Sequence, residues 1–389
     1  MFRLLWPIVL LVACAAPTAD LTLAPDVDGF SAALHRVDHD LAATAALDAT
    51  DWTVQGRLAG LHLQRARLAG GYADYDHALL ALDRAYAQAA PGAGPHQTHA
   101  RVLASLHRLP EAIDAVDRAR DRILIDDVTT AELDLLRAEL AWQQGDYPTA
   151  LDASAELELR RPTWRTASTG AHHAWHTLQD AEAERAWDLA EQRLVGEQRV
   201  ARAWLHLQRG LLDLDRGRPD EALHHYLDAD AALPGWWLVH EHVAEALVLT
   251  GHPDQAEPIY RDVVERTDAP EFMDALAGLA LDRGDRHAAD AWIARAEARY
   301  EDQLAAHPEA AAGHALGHYL DFGPADRAVE LARANLAARP NAEAHTWLAL
   351  ALLHADRPDE AREHVTAALA TPWRSGDLLA LAAELDVGE

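Results

Sequence analysis

Lysine is absent: all 34 basic side chains in this chain of 389 residues are arginine. Schiff-base catalysis, pyridoxal phosphate attachment and a phosphate-binding P-loop each need a lysine, so those classes are excluded. Asparagine is scarce, and aromatics make up only 6% of a chain that is half apolar and dominated by alanine and leucine. That composition suits closely packed helices and is poor in strand formers, which predicts an all-α protein. The only cysteine is Cys14, and there is no Gly-x-Ser-x-Gly elbow, so the familiar nucleophiles are missing as well. Positive charge is in deficit, with 63 acidic residues giving a net charge of -29 and a surface that repels nucleic acid phosphates. No enzymatic activity, no cofactor and no nucleic acid partner is expected.

Long apolar runs are missing too. Residues 4–13 follow a short basic start and have the length of a signal-peptide core, well below the roughly 20 residues of a membrane-spanning helix. The run ends in Leu11, Val12, Ala13 and Cys14, which resembles the bacterial lipobox. The resemblance implies cleavage before Cys14 and a diacylated cysteine as the new N-terminus, and two acyl chains suffice for stable attachment. Ala15 stands where an aspartate would imply inner-membrane retention, so the expected location is the outer membrane, facing the periplasm or the cell surface. Pro17, Pro25 and several aspartates mark the next stretch as an extended tether.

What the chain has in abundance is repetition. A small residue is followed twelve positions later by an alanine in the pairs Ala66 and Ala78, Ala100 and Ala112, Ala138 and Ala150, Ala171 and Ala183. The pattern continues in Gly210 and Ala222, Ala244 and Ala256, Ala277 and Ala289, Ala349 and Ala361, with a weaker Leu316 and Ala328. Where no insertion intervenes, the second members recur every 33 or 34 residues, a period of two-helix units. Small residues let two helix axes approach within about 8 to 10 Å, and turn signals such as Gly145-Asp146-Tyr147-Pro148 and Gly217-Arg218-Pro219-Asp220 lie between the partners. From about Trp52 to Leu369 the chain resembles tetratricopeptide repeats, best through Gly210, Gly217, Ala222, Tyr226, Ala229 and Pro234. Asp213, Ser154 and Ala332 depart from that pattern. The resemblance implies an α-solenoid of about nine hairpins in a right-handed superhelix with a concave binding face. The organisation expected is a signal peptide over 1–13, a tether over 14–29, a leading helical segment over 30–51, the repeat array over 52–374 and a capping helix over 375–389.

Such an array is expected to bind a protein or peptide as a lipid-anchored scaffold. Trp236 and Trp237 follow a Leu-Pro-Gly turn at the start of a first helix and, with Trp204, are the expected partner-binding residues. The acidic surplus favours a neutral or basic partner. An alternative reading is a metal-binding protein. His172 with His176 and His314 with His318 have the one-turn spacing that puts two imidazoles on one helix face, with Asp321 or His345 as a third ligand for the second pair. The His240-Glu241-His242 stretch lacks the second histidine of a zinc protease helix, because Ala244 stands there.

Overall fold

The structure, a computed structural model, describes residues 23–121 and 126–388. Cys14 and the signal segment lie outside these residues. The described chain is all α: a leading helix α1 (Phe30–Ala45), nine antiparallel hairpins and a closing helix α20 (Gly376–Glu384). The first three hairpins pair α2 (Trp52–Ala69) with α3 (Tyr72–Gln88), α4 (His96–Ser105) with α5 (Leu109–Arg120), and α6 (Asp127–Gln143) with α7 (Tyr147–Arg160). The middle three pair α8 (Trp164–Trp175) with α9 (Asp180–Gln192), α10 (Arg199–Asp215) with α11 (Pro219–Ala232), and α12 (Trp237–Leu249) with α13 (Pro253–Thr267). The last three pair α14 (Pro270–Asp282) with α15 (Arg286–Ala306), α16 (Pro308–Asp321) with α17 (Ala325–Ala338), and α18 (Ala342–His354) with α19 (Pro358–Leu369).

The spacing-twelve pairs fall one on each helix of every hairpin. Their alanines and Leu316 are at most 2% exposed, the burial that a close helix crossing demands. Gly210 makes the tightest crossing, where even a Cβ would run into the ring of Tyr226 on α11. Prolines at the first turn of α5, α7, α11, α13, α14, α16 and α19 start helices where no amide donor is needed. Ser375 caps α20 by accepting from Leu378 N at 3.2 Å. Ser154, one of the departures from the repeat pattern, is buried in α7 and returns its hydroxyl to Ala150 O at 2.7 Å.

The array is an α-solenoid wound tightly enough for early hairpins to touch late ones. The turn after α2 meets the start of α12, where Trp236 and Trp237 both direct their indole N–H groups to Leu68 O, at 3.4 and 2.7 Å. Gly70 in that turn has φ +77, and a Cβ there would press on the Trp237 ring at 2.5 Å. The turn between α6 and α7 meets the start of α18: Asn341 Nδ2 donates to Gln143 O at 3.0 Å and Ala342 N to the Tyr147 hydroxyl at 2.9 Å. Gly145, with φ +79, has Pro340 O where a Cβ would stand, 2.6 Å away. Further along, Arg374 N donates to His176 O and Gly376 N to Asp215 Oδ1, both at 2.8 Å.

The N-terminal segment is docked as well. Ala24 N donates to Asp230 Oδ2 at 2.7 Å, Phe30 N to Pro234 O at 2.9 Å, and Arg199 reaches Asp28 O. Residues 24–29, which composition assigns to a tether, therefore lie on α10, α11 and the turn before α12.

Candidate functional site on the inner face

Four successive first helices bring their charges to one place. Arg67 of α2 interacts with Arg101 of α4, Glu139 of α6 and Arg165 of α8, residues separated by up to 98 positions. Side chains from the same helix of consecutive hairpins converge in this way only on the concave side of a solenoid. Arg67, Glu139 and Arg165 all keep exposed surface. Even so, burial pushes the Arg67 guanidinium down, and it pushes the Glu139 carboxyl up against the pull of Arg67, Arg165 and Arg101. Accessible surface combined with desolvation describes side chains that reach water from a concave surface with protein around them.

The partners are unevenly distributed. Arg101 Nη2 is held by Glu132 at 2.9 Å, and Gln97 donates to the same carboxylate at 2.7 Å. Arg67 finds Ser105 Oγ at 3.4 Å, and Arg165 lies 5.3 Å from the centroid of the Trp164 ring. Among the described residues neither Arg67 nor Arg165 has a carboxylate within ion-pair distance. In a chain of such strong acidity the cleft at α2 to α8 is locally basic. Sequence reasoning missed it because these four residues occupy no shared motif and meet only when the superhelix closes.

The histidine pairs proposed as metal ligands are placed otherwise. His172 and His176 do share a face, with ring centroids 4.7 Å apart, but they are packed into an aromatic stack. Trp142 stacks on His173 and Trp175 on His176, each at 4.3 Å, and Trp373 stacks on the far side of His176 at 5.3 Å. Burial pushes His172 and His173 down to about 3 and His176 to about 4, so the stack is neutral. Trp175 Nε1 donates to Asp215 Oδ2 at 2.8 Å, and His176 Nδ1 faces Arg374 O at 3.2 Å. His314 is exposed and sits 3.2 Å from Glu271, whereas His318 is buried and bonded through Nδ1 to Asp274 at 2.8 Å. His345 pairs with His364 at 2.9 Å. Among the described residues neither pair belongs to a group of three ligand atoms: His172 and His176 sit in the aromatic stack, and His314 and His318 each face one carboxylate.

Trp236 is 3% exposed, Trp237 is half-buried against Gly70 and Phe272, and Trp204 is half-buried between two apolar cores. Trp236 and Trp237 join turns of the solenoid through Leu68 O, and Trp204 packs between neighbouring hairpins.

Three other clusters gather histidine and carboxylate: His62, Asp74 and His77; Glu241, His242 and Glu245; and His206, His225 and Asp228. In the first, Asp74 is already shared by His62 at 3.1 Å and Arg65 at 2.6 Å. In the second, His242 lies between Glu241 at 3.0 Å and Glu245 at 3.2 Å, and these carboxylates, outweighing burial, hold it charged with its pKa raised to about 10. In the third, burial pushes both imidazoles down. The three-residue spacing of His225 and Asp228 on one helix was the available sequence signal for that cluster.

No family model matches the sequence, and no curated protein does. Among solved structures the chain is similar to the Cut9–Hcn1 hetero-tetramer of the APC/C, at 16% identity over 90% of this chain and TM-score 0.49; it spans 66% of that neighbour's length. It is also similar to the human IFIT1 dimer with PPP-AAAA, at 14% identity over 88% of this chain and 86% of the other, TM-score 0.44. A tetratricopeptide repeat protein from Parabacteroides merdae matches at 17% identity over 61% of this chain and 91% of its own, TM-score 0.41. At these identities the likeness is one of fold alone. No helix among the described residues is long and apolar enough to cross a membrane.

Proposed function

We propose that this chain is a lipid-anchored scaffold that binds a protein or peptide on the inner face of its helical array, at the cleft around Arg67, Arg101, Glu139 and Arg165. The observation that carries this reading is the pair of arginines, Arg67 and Arg165, which lie near Glu139 but make no ion pair with a carboxylate at contact distance among the described residues. Desolvated cations of this kind are stabilised by an incoming carboxylate, and charge-assisted hydrogen bonds are about twice as strong as neutral ones. The net charge of -29 still favours a partner segment that is neutral or basic overall. Such a segment brings one carboxylate, a side chain or a chain terminus, to the cleft.

The anchor is Cys14, through the lipobox-like residues that precede it, and the location is the outer membrane on its periplasmic side or at the cell surface. Nine residue steps separate Cys14 from Leu23, which limits their reach to about 30 Å. Because Ala24 is already held by Asp230, the body would sit close to the bilayer.

Cross-linking in intact cells, followed by mass spectrometry of material purified with the tagged protein, tests the scaffold. A recurrent partner that is lost in the double variant Arg67→Gln, Arg165→Gln supports the cleft. Identical recovery from the variant sinks it. Cys14→Ser tests the anchor separately, since unchanged partitioning into detergent would remove the case for lipidation.

A further inference from the structure

Among the three clusters of histidine with carboxylate, one holds two buried imidazole nitrogens that have no hydrogen-bond partner. His206 comes from α10, while His225 and Asp228 come from one face of α11. One ring nitrogen of each histidine and one carboxylate oxygen lie within 4.8 Å of one another. The Nδ1 atoms of His206 and His225 are buried and have no hydrogen-bond partner. Leaving a buried polar atom unpaired costs about 1–3 kcal/mol, so two in one cluster call for a ligand. Asp228 is exposed and, among the described residues, no hydrogen bond holds its carboxylate.

The other side of each ring is supported. His206 Nε2 is 3.7 Å from Glu191 Oε1, and His225 Nε2 is 3.5 Å from Asp213 Oδ2. Those carboxylates are fixed in turn, Glu191 by Arg202 at 2.6 Å and Asp213 by Arg218 at 2.7 Å. The contacts of the two rings with these carboxylates are longer than hydrogen bonds, and a small ring rotation would close them, which is how ligating histidines are usually backed. The nearby cation, Arg209, is turned to Asp188 at 2.6 Å and Glu184 at 3.9 Å.

We propose that His206 Nδ1, His225 Nδ1 and the Asp228 carboxylate bind a divalent transition metal of the zinc type. Two imidazoles and one carboxylate suit zinc, cobalt or nickel, whereas calcium and magnesium take oxygen ligands and copper(I) prefers sulfur. Bonds of about 2.0 Å in a tetrahedron set ligand atoms about 3.3 Å apart, so side-chain torsions must draw the three together by up to about 1.5 Å. Three protein ligands leave the fourth position to water, on the side where Asp228 is exposed.

The test is zinc binding by the detergent-purified, metal-stripped full chain, followed by calorimetry and by the visible spectrum of the cobalt form. One zinc per chain is expected, with cobalt absorption typical of four or five ligands. Asp228→Asn, an exposed change that leaves the helices intact, should abolish that spectrum and weaken zinc binding. Asp213→Asn, which removes the charge behind His225 and its ion pair with Arg218 but no proposed ligand, should weaken binding by about 10-fold to 100-fold. His35→Ala, at an exposed histidine of α1, should change nothing. Absence of bound zinc overturns the proposal. So does zinc binding that is equally insensitive to Asp228→Asn, His225→Ala and His35→Ala, since the metal would then sit on scattered surface histidines.

Discussion

Trp237 donates its indole N–H to the carbonyl of Leu68, 169 residues earlier, across 2.7 Å. Leu68 lies in the last turn of α2, where a helix leaves carbonyls without internal partners, and the Trp236 indole approaches the same oxygen at 3.4 Å. A helix end in the first hairpin is thus satisfied by the start of the sixth, and this joins two turns of the superhelix. Trp237→Phe keeps most of the apolar contact but removes the donor, so it should cost about 1 kcal/mol of stability. Trp237→Ala also uncovers Gly70 and Phe272 and should cost about 3 kcal/mol. Denaturant midpoints measure both, and faster amide exchange at the end of α2 should accompany the loss. Equal midpoints for wild type and Trp237→Ala would show that the inter-turn contact has no energetic weight.

Asp230 is the point where the N-terminal segment is fastened. It is 2% exposed and accepts from Ala24 N at 2.7 Å and Gly235 N at 3.3 Å, with His240 Nε2 at 3.0 Å. Asp230→Ala leaves those groups without their acceptor in a buried place and should destabilise by about 3 kcal/mol. The specific signature is local: residues 24–29 should become the first site of limited proteolysis. If cleavage there is no faster than in the wild type, the segment is held by other contacts.

The helix-crossing glycines give a paired prediction. Gly210→Ala would drive a Cβ into Tyr226, whose ring is fully buried and stacked on His242 at 5.2 Å, so it cannot yield cheaply. The substitution should cost about 1–3 kcal/mol. Gly278 in α14 has nothing near its Cβ position, and Gly278→Ala should instead stabilise by about 0.5–1 kcal/mol through helix propensity. Thermal melts of the two variants should move in opposite directions; a shared direction would refute the packing account of the spacing-twelve pattern.

The same crossings explain what was legible in the sequence. Ala66 with Ala78 and its counterparts report a local constraint, the close approach of two helices joined by a short turn, and local constraints leave periodic traces. The hairpins were therefore readable, including the weak pair Leu316 and Ala328. Contacts between turns of the superhelix, such as Trp237 on Leu68 or Tyr147 on Ala342, join residues about 170 to 195 positions apart and obey no period. Trp236 and Trp237 consequently read as exposed anchors when they are inter-turn joints. His172 and His176 show the residue types of a metal site, but the decisive fact, stacking by Trp142, Trp175 and Trp373, comes from three separate helices or turns.

Acid should weaken the fold, and the sign follows from the buried imidazoles. Burial holds His172 and His173 at about 3 and His176 and His107 at about 4 in the folded chain. In the unfolded chain each titrates near 6.5. Below about pH 6.5 the unfolded state therefore takes up protons that the folded state refuses, and stability is lost as pH falls towards the folded values. Asp377 acts the other way: burial and the neighbouring Asp215 raise its carboxyl to about 6, so its contribution is lost as pH rises through that value. His242, raised to about 10 by Glu241 and Glu245 in spite of burial, contributes fully below 6.5 and loses that contribution progressively as pH rises from 6.5 to 10. Between about pH 4 and 6.5 these four histidines outweigh Asp377, so the melting temperature should be lower at about pH 5 than at about pH 6.5. His107→Gln removes one of the four and should shrink that difference without abolishing it. A melting temperature that is constant over this interval, or higher at the acid end, would mean that the stack does not remain neutral as it packs.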